Sequence, residues 1–258
     1  MLPLPGRPSK HRVAAFRQDP EDDESLAIYW TFYRAVASAQ LSRWLPRRSS
    51  RVLDLSGAAS RAGFQAAAAG HKVLEVVSSG SHQSSFVSRV VGDPAALDFL
   101  ADSCIDAVIA EDRMLSRCLA TEATVAEIAR VLRPGGRLLL SVDSLMLGMA
   151  VLAEQNLWPH LSDVPKAEVV LVPWPDGTIT RCFWSDQVRE LLVQAGLEVE
   201  WIRPRTIVSP STAEHVLALD PGALARLVRT ELAAPHNFRG DEDSRGIHLL
   251  ASAVKLGG

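Results

Sequence analysis

Several polar residues stand where the chain turns and could meet a ligand. Glu111, Asp112 and Arg113 follow the apolar run Ile105 to Ala110. A carboxylate at such a strand end can act as a general base when an acceptor lies within hydrogen-bonding reach, or it can simply face water. Asp93 precedes Pro94 and is a suitable cap for the turn behind it. Asp54 sits within Val52-Leu53-Asp54-Leu55, where its carboxylate can satisfy amides of the following loop. The serine-rich stretch Ser78 to Ser85 offers hydroxyls to an anion at a helix N-terminus, though solvated loop is the commoner meaning of such a run. His160, in Trp158-Pro159-His160, reads as a lone loop histidine. Cys104, Cys118 and Cys182 are odd in number and far apart, which suits reduced buried thiols rather than disulfides or a zinc site. No metal site is expected.

The elements that must position these residues follow from periodicity. After the acidic run Asp19 to Glu24, Leu26, Tyr29, Trp30, Tyr33, Val36, Ala37 and Leu41 recur at helical spacing and end near Pro46. The aromatic stripe reads as core or as a roof over a cleft. Short apolar strands are expected at 52–55, 73–77, 90–91, 105–110 and 137–142, with helices from about Ala59 to Ala69 and from Thr121 to Leu132, and a turn at Pro134-Gly135-Gly136. Alternating strands and helices with short links imply a doubly wound, mostly parallel sheet whose ligands bind at the strands' carboxyl ends. Beyond Val142 the alternation breaks. A helix from Ser144 to Gln155 and a hairpin at Val169–Val172 and Thr178–Trp184 read as a lid or insertion over 144–184. A helix from Ser185 to Gly196, a Val/Glu strand, a small helix capped at Ser211-Thr-Ala-Glu214 and a strand from Ile247 to Val254 complete the chain.

The 258 residues, 47% hydrophobic and 22% charged, suit one globular domain and exclude collagen-like repeats and extensive disorder. The formal net charge of −3, from 27 basic and 30 acidic side chains, gives no field that argues for nucleic acid or a membrane surface. The most apolar stretch, Leu138 to Ala153, is interrupted by Asp143 and is too short to span a bilayer. Residues 1–24 are expected as a flexible tail, 25–50 as an N-terminal cap helix and 51–258 as the main domain. The few lysines among the basic residues suggest a GC-rich bacterial genome, and the expected setting is a bacterial cytoplasm.

From about Arg51 to Lys255 the chain resembles the class I S-adenosylmethionine-dependent methyltransferases of the small-molecule type. The resemblance rests on Val52-Leu53-Asp54-Leu55, on Gly92-Asp93 followed by Asp106-Ala-Val108, and on Glu127-Ile-Ala-Arg-Val-Leu-Arg-Pro-Gly-Gly-Arg137. It implies a seven-stranded Rossmann-like sheet with the last strand reversed, an N-terminal helical cap and a β-hairpin lid. It also implies S-adenosylmethionine as cofactor, held by Asp54, the loop Ser56, Gly57, Ala58 and Ser60, the strand tip Val77 and Ser78, Asp93 and Pro94, and Glu111. Asp93 corresponds to the family's acceptor for the adenine amino group.

The family's three loop glycines are here Ser56, Ala58 and Ser60, and its ribose-binding acid is Val77. Glycine permits a tight turn and close backbone approach, so these changes imply weaker cofactor binding, with Gly57 able to shift the turn by one place. The leading reading is a methyltransferase acting on a small molecule, with no single residue marked as its catalytic base. An inactive methyltransferase-fold pseudoenzyme acting as scaffold or regulator is the alternative, and a binder of a phosphorylated nucleotide is a third.

Overall fold

Runs of β-branched and leucine residues form the parallel core of the sheet: β1 (Arg51–Asp54), β2 (Lys72–Val77), β3 (Ser88–Val91), β4 (Ile105–Ala110) and β5 (Leu132–Ser144). The computed structural model of the protein describes residues 24–57, 60–78, 87–174, 176–233 and 246–257. The tail expected over 1–24 lies outside the described residues as far as 23, as does the serine-rich stretch from Ser79 onward. Within the core the strand order is β3-β2-β1-β4-β5, all parallel. Beyond β5 lies β9 (His248–Lys255), antiparallel to it, and then β8 (Leu197–Pro204), antiparallel to β9. This is the expected seven-stranded sheet with its last strand reversed. A hairpin of β6 (Val170–Pro173) and β7 (Ile179–Phe183) brings the sheet to nine strands, because β7 pairs in parallel with β5 at Asp143↔Cys182 and Ser144↔Phe183.

Both sheet faces are covered, so the strands read as continuous apolar runs rather than alternating ones. Leu53, Leu55, Val108, Leu138 and Leu140 face α4 (Thr121–Val131) and α7 (Ser185–Gln194). Val52, Ala107, Ile109 and Leu139 face α2 (Ala62–Ala68) and the end of α1 (Glu24–Trp44). The other half of α1 lays Tyr29, Phe32, Tyr33 and Val36 against α8 (Pro210–Leu219) and α9 (Leu224–Ala233). After β5, α5 (Leu145–Glu154) and α6 (Trp158–Asp163) join the hairpin around Leu147, Val151, Val172 and Cys182. Gly148 lets that contact close, since a Cβ there would stand 2.9 Å from Cys182 Sγ.

Some boundaries differ from the periodicity for local reasons. The second helix starts at Ala62 rather than Ala59, because Ser60 N donates to the Gly57 carbonyl at 3.0 Å and Ser60 Oγ accepts from Ala62 N at 3.1 Å. Pro134-Gly135-Gly136 is a bulge inside β5, between the pairs Ile105↔Leu132 and Ala107↔Arg137. The cap of α8 is Ser209, whose side chain accepts from Thr212 N, rather than Ser211. Helices α6 and α9 have no counterpart among the elements expected from periodicity. Among the described residues no helix is long and apolar enough to cross a membrane.

Phe183 is 1% exposed and belongs to the central core although it lies at the end of the hairpin. Phe183→Ala should cost about 3–5 kcal/mol in urea denaturation, the range for truncating a buried aromatic ring. A loss below about 1 kcal/mol would mean that the hairpin end contributes nothing to the core.

Candidate active site

The first strand delivers Asp54 to the carboxyl end of the sheet on the face covered by α2. Asp54 Oδ1 accepts from Ser56 N at 2.9 Å, whereas Oδ2 is buried without a hydrogen-bond partner. Gly63 of α2 packs directly on that oxygen, and a Cβ there would lie 2.5 Å from it. Burial pushes the Asp54 carboxyl up to about 6, against the hydrogen bonding from Ser56, with a smaller push from Glu75 and a still smaller pull from the Gly63 amide. Oδ2 therefore faces the Gly63 amide of α2 without a fully formed hydrogen bond, at a cost that burial makes appreciable.

The loop behind Asp54 shows how the chain manages without the three glycines. The left-handed turn falls on Gly57, with φ +89° and open space for 4 Å around the point a Cβ would occupy. Neither Ser56 nor Ser60 adopts positive φ, so neither carries that strain. Ser56 Oγ accepts from Glu111 N at 2.9 Å and Leu55 N donates to the Ile109 carbonyl at 2.8 Å, which ties the loop to the end of β4. Ala58 lies outside the described residues.

The loop opens onto a cleft of about 320 Å³. Leu55, Val76 and Met114 supply apolar wall, and Ser56, Gly57, Ser78, Pro94, Asp112, Arg117 and Cys118 complete it. Four residues expected at a site, Ser56, Gly57, Ser78 and Pro94, therefore meet here. Val77 is buried and the cleft is lined by its neighbour Val76 instead. Glu75, two residues back, is held by Arg89 through Nη2 at 2.6 Å and Nε at 2.8 Å. Asp93 is exposed next to Pro94, with Oδ1 accepting from Ala95 N at 2.9 Å, so it does cap a turn.

Glu111 departs from its expected place beside a cofactor. Its side chain is turned into the interior and forms an ion pair with Arg205, which is only 1% exposed. Asp112 and Arg113 both adopt left-handed φ, +55° and +56°, a strained pair of the kind that collects at functional sites. Asp112 faces the cleft and binds Arg117 at 2.9 Å, whereas Arg113 is buried against Asp143 at 3.2 Å. Gln40 of α1 braces Arg205 from both sides, accepting from Nη1 at 2.9 Å and donating to its carbonyl at 3.0 Å. Burial raises Asp143 while Arg113 opposes the shift, and each charge is held by the other. His248 lies beside this pair and stays neutral, because burial, then Arg113 and Arg205, hold it well below the usual imidazole range. Asp143 carried one sequence signal, its interruption of an apolar run; Arg205 and His248 carried none. Among the described residues no cluster has the makeup of a metal site.

Residues 37–140 match the family described as a methyltransferase domain. Among solved structures, a putative S-adenosylmethionine-dependent methyltransferase from Listeria monocytogenes aligns with TM-score 0.58 at 16% identity, over 88% of this chain and all of that one. The 1,6-didemethyltoxoflavin-N1-methyltransferase of Burkholderia thailandensis, solved with its substrate and S-adenosylhomocysteine, aligns with TM-score 0.55 at 18% identity over 88% of this chain and 81% of that one. The [4+2]-cyclase SpnF aligns with TM-score 0.55 at 20% identity over 87% and 82%. No curated protein matches the chain. Residues 37–140 thus match a methyltransferase domain, and the chain has the fold of the class I S-adenosylmethionine-dependent methyltransferases.

The raised carboxyl of Asp54 has a direct consequence for stability. An acid whose folded pKa lies above its unfolded value of 3.8 destabilises the fold once ionised, and that cost fades as pH falls through about 6 toward 4. Asp54→Asn should therefore gain on the wild type as pH rises from 4.5 to 7.5, by about 2 kcal/mol at 1.36 kcal/mol per pKa unit. Chemical denaturation at the two pH values measures this, and a difference that does not change with pH would contradict the burial argument.

Proposed function

We propose that the protein transfers a methyl group from S-adenosylmethionine to a small molecule. The observation that carries this reading is the cleft at the carboxyl ends of the strands, where Ser56, Gly57, Ser78 and Pro94 meet. The residues present suit the cofactor. Asp54 offers an acceptor to the amino acid part, around which the described loop residues Ser56, Gly57 and Ser60 would lie. Ser78 takes the place beside the ribose that Val77 cannot fill, and Pro94 flanks the base. Asp93 spends one oxygen on Ala95 N, and its other oxygen is the acceptor for the adenine amino group. When bound, the cofactor supplies an electrophilic methyl group on a sulfonium.

The small-molecule assignment is supported by the enclosure beside the cleft. Trp30 and Tyr33 of α1 lie over the ends of β5 and β9, and the segment 144–184 extends the sheet past the end of β4, as a cap helix and a lid would. The 1,6-didemethyltoxoflavin bound by the Burkholderia neighbour favours the same class. Nothing in charge or hydropathy favours a nucleic acid or a membrane as partner, and we place the reaction in a bacterial cytoplasm.

Calorimetric titration with S-adenosylhomocysteine tests the reading. The wild type should bind, and Asp93→Ala should lose about 5- to 150-fold in affinity, the equivalent of a charged hydrogen bond of roughly 1–3 kcal/mol. Asp93→Asn, which keeps the cap, should lose less. A wild type that does not bind overturns the proposal, and normal binding by Asp93→Ala leaves Asp93 as a cap only.

A further inference from the structure

Inside the turn that presents Asp112 to the cleft, the fold buries an imidazole to which no hydrogen-bonding role falls. His248 opens β9 directly across from Asp143 of β5. Its side chain is 1% exposed and neither ring nitrogen has a hydrogen-bond partner. Nε2 stands 3.5 Å from Asp143 Oδ1, near the carboxylate but beyond a formed N–H···O bond. Protein interiors rarely keep a polar group in this condition without a use for it.

The surroundings fit a base. Tyr33 packs edge-on against the ring at 5.1 Å between centroids and Trp30 lies at 6.1 Å, both from α1. Arg113, from the turn after β4, and Arg205, from the end of β8, are the cations that act on it, and Asp143 is the anion. The lone pair is therefore kept free rather than protonated. Glu111 Oε1 is a second buried atom of this cluster without a partner. Glu111 and Arg113 flank Asp112, which lines the cleft, so one turn of backbone separates the cluster from the cleft. Its formal charges cancel, Arg113 against Asp143 and Arg205 against Glu111. A charged acceptor would bring in an uncompensated charge at high cost, which favours an uncharged one.

We propose that His248 is the base that takes the proton of the methyl acceptor, that Asp143 positions its ring, and that the acceptor is an uncharged hydroxyl compound of the phenol class, whose O–H is acidic enough for an imidazole to deprotonate. The inference rests on the methyl-transfer reading above. The acceptor O–H bond breaks and its proton goes to the free imidazole nitrogen, while an oxygen lone pair forms the new O–CH3 bond. The S–CH3 bond breaks with its electron pair left on sulfur. The positive charge thus passes to the imidazolium, where Asp143 stabilises it, and the proton then leaves to water. Because Trp30 and Tyr33 cover the ring, entry of the acceptor requires the aromatic face of α1 to give way.

The test uses the full chain, with catechol and phenol as uncharged probes and benzoate and benzylamine as charged ones. Wild type and His248→Gln should bind S-adenosylhomocysteine within about twofold of each other. If the wild type does not bind, the methyl-transfer reading itself fails, whatever His248 does. In a binding protein, catechol or phenol should be methylated and the charged probes not. His248→Gln should lower kcat by about 10²- to 10⁴-fold, the range for a general base, with KM little changed. The acid limb of the wild-type pH–rate profile should vanish in the variant. Independently of turnover, catechol added to the protein with S-adenosylhomocysteine should shift one of the seven histidine side-chain signals in NMR, the one missing from His248→Gln. Failure of every phenol in a protein that binds S-adenosylhomocysteine overturns the acceptor class. A variant within threefold of wild-type kcat, or one that keeps the acid limb, overturns the base. Should His248→Gln not fold, His248→Asn and the wild-type NMR titration decide the same question.

Discussion

Two buried ion pairs at the carboxyl ends of β4 and β5 fix everything that surrounds the cleft. Arg113 with Asp143 joins the turn after β4 to β5, and Arg205 with Glu111 joins the same turn to the end of β8. Taking four charges out of water is costly, and removing one partner of such a pair strands the other at about 3–5 kcal/mol. The polypeptide therefore has little freedom between residues 111 and 113. That constraint holds Asp112 and Arg113 in their left-handed conformation, sends Asp112 to the cleft and Arg113 inward, and through Gln40 fixes α1 above them.

The same constraint explains how a loop with serines in place of glycines remains well formed. Because Glu111 is held from the inside, its backbone N–H is presented to the Ser56 hydroxyl, a bond that glycine cannot make. The positive φ moves to Gly57, and Ser60 begins α2 by accepting from Ala62 N. What looked from the sequence like three losses is, at Ser56 and Ser60, an exchange of backbone freedom for hydrogen bonds. Val77, by contrast, is buried and offers no polar group at the tip of β2.

The fold was legible because it is written in local patterns. Val52-Leu53, Ile105 to Ala110 and the helix running into Pro134-Gly135-Gly136 carry their own periodicity and turn chemistry, and the helices fell within a few residues of expectation. The reaction side was not legible for the opposite reason. Asp143, Arg205 and His248 are separated by about 40 residues or more at each step and meet only because β5, β8 and β9 end at one place. Glu111 was visible, but its inward turn depends on Arg205, which no local pattern announced. Helix α9 does carry helical apolar spacing, at Leu224, Leu227 and Val228, so its absence from the expected elements is not for want of a local signal. Fold alone does not fix chemistry either, since the same architecture serves a [4+2]-cyclase in SpnF.

In the proposed function Asp54, buried behind Ser56 of the cleft, is the acceptor for the amino acid part of the cofactor. An ammonium placed against its free oxygen must lower the raised carboxyl, so ligand binding near pH 6 should expel protons. The most direct measurement is calorimetry of S-adenosylhomocysteine binding at pH 6 in two buffers of different ionisation enthalpy, with wild type and Asp54→Asn. The account predicts net proton release in the wild type and none in the variant. Binding without proton release, or release that survives in Asp54→Asn, would contradict it.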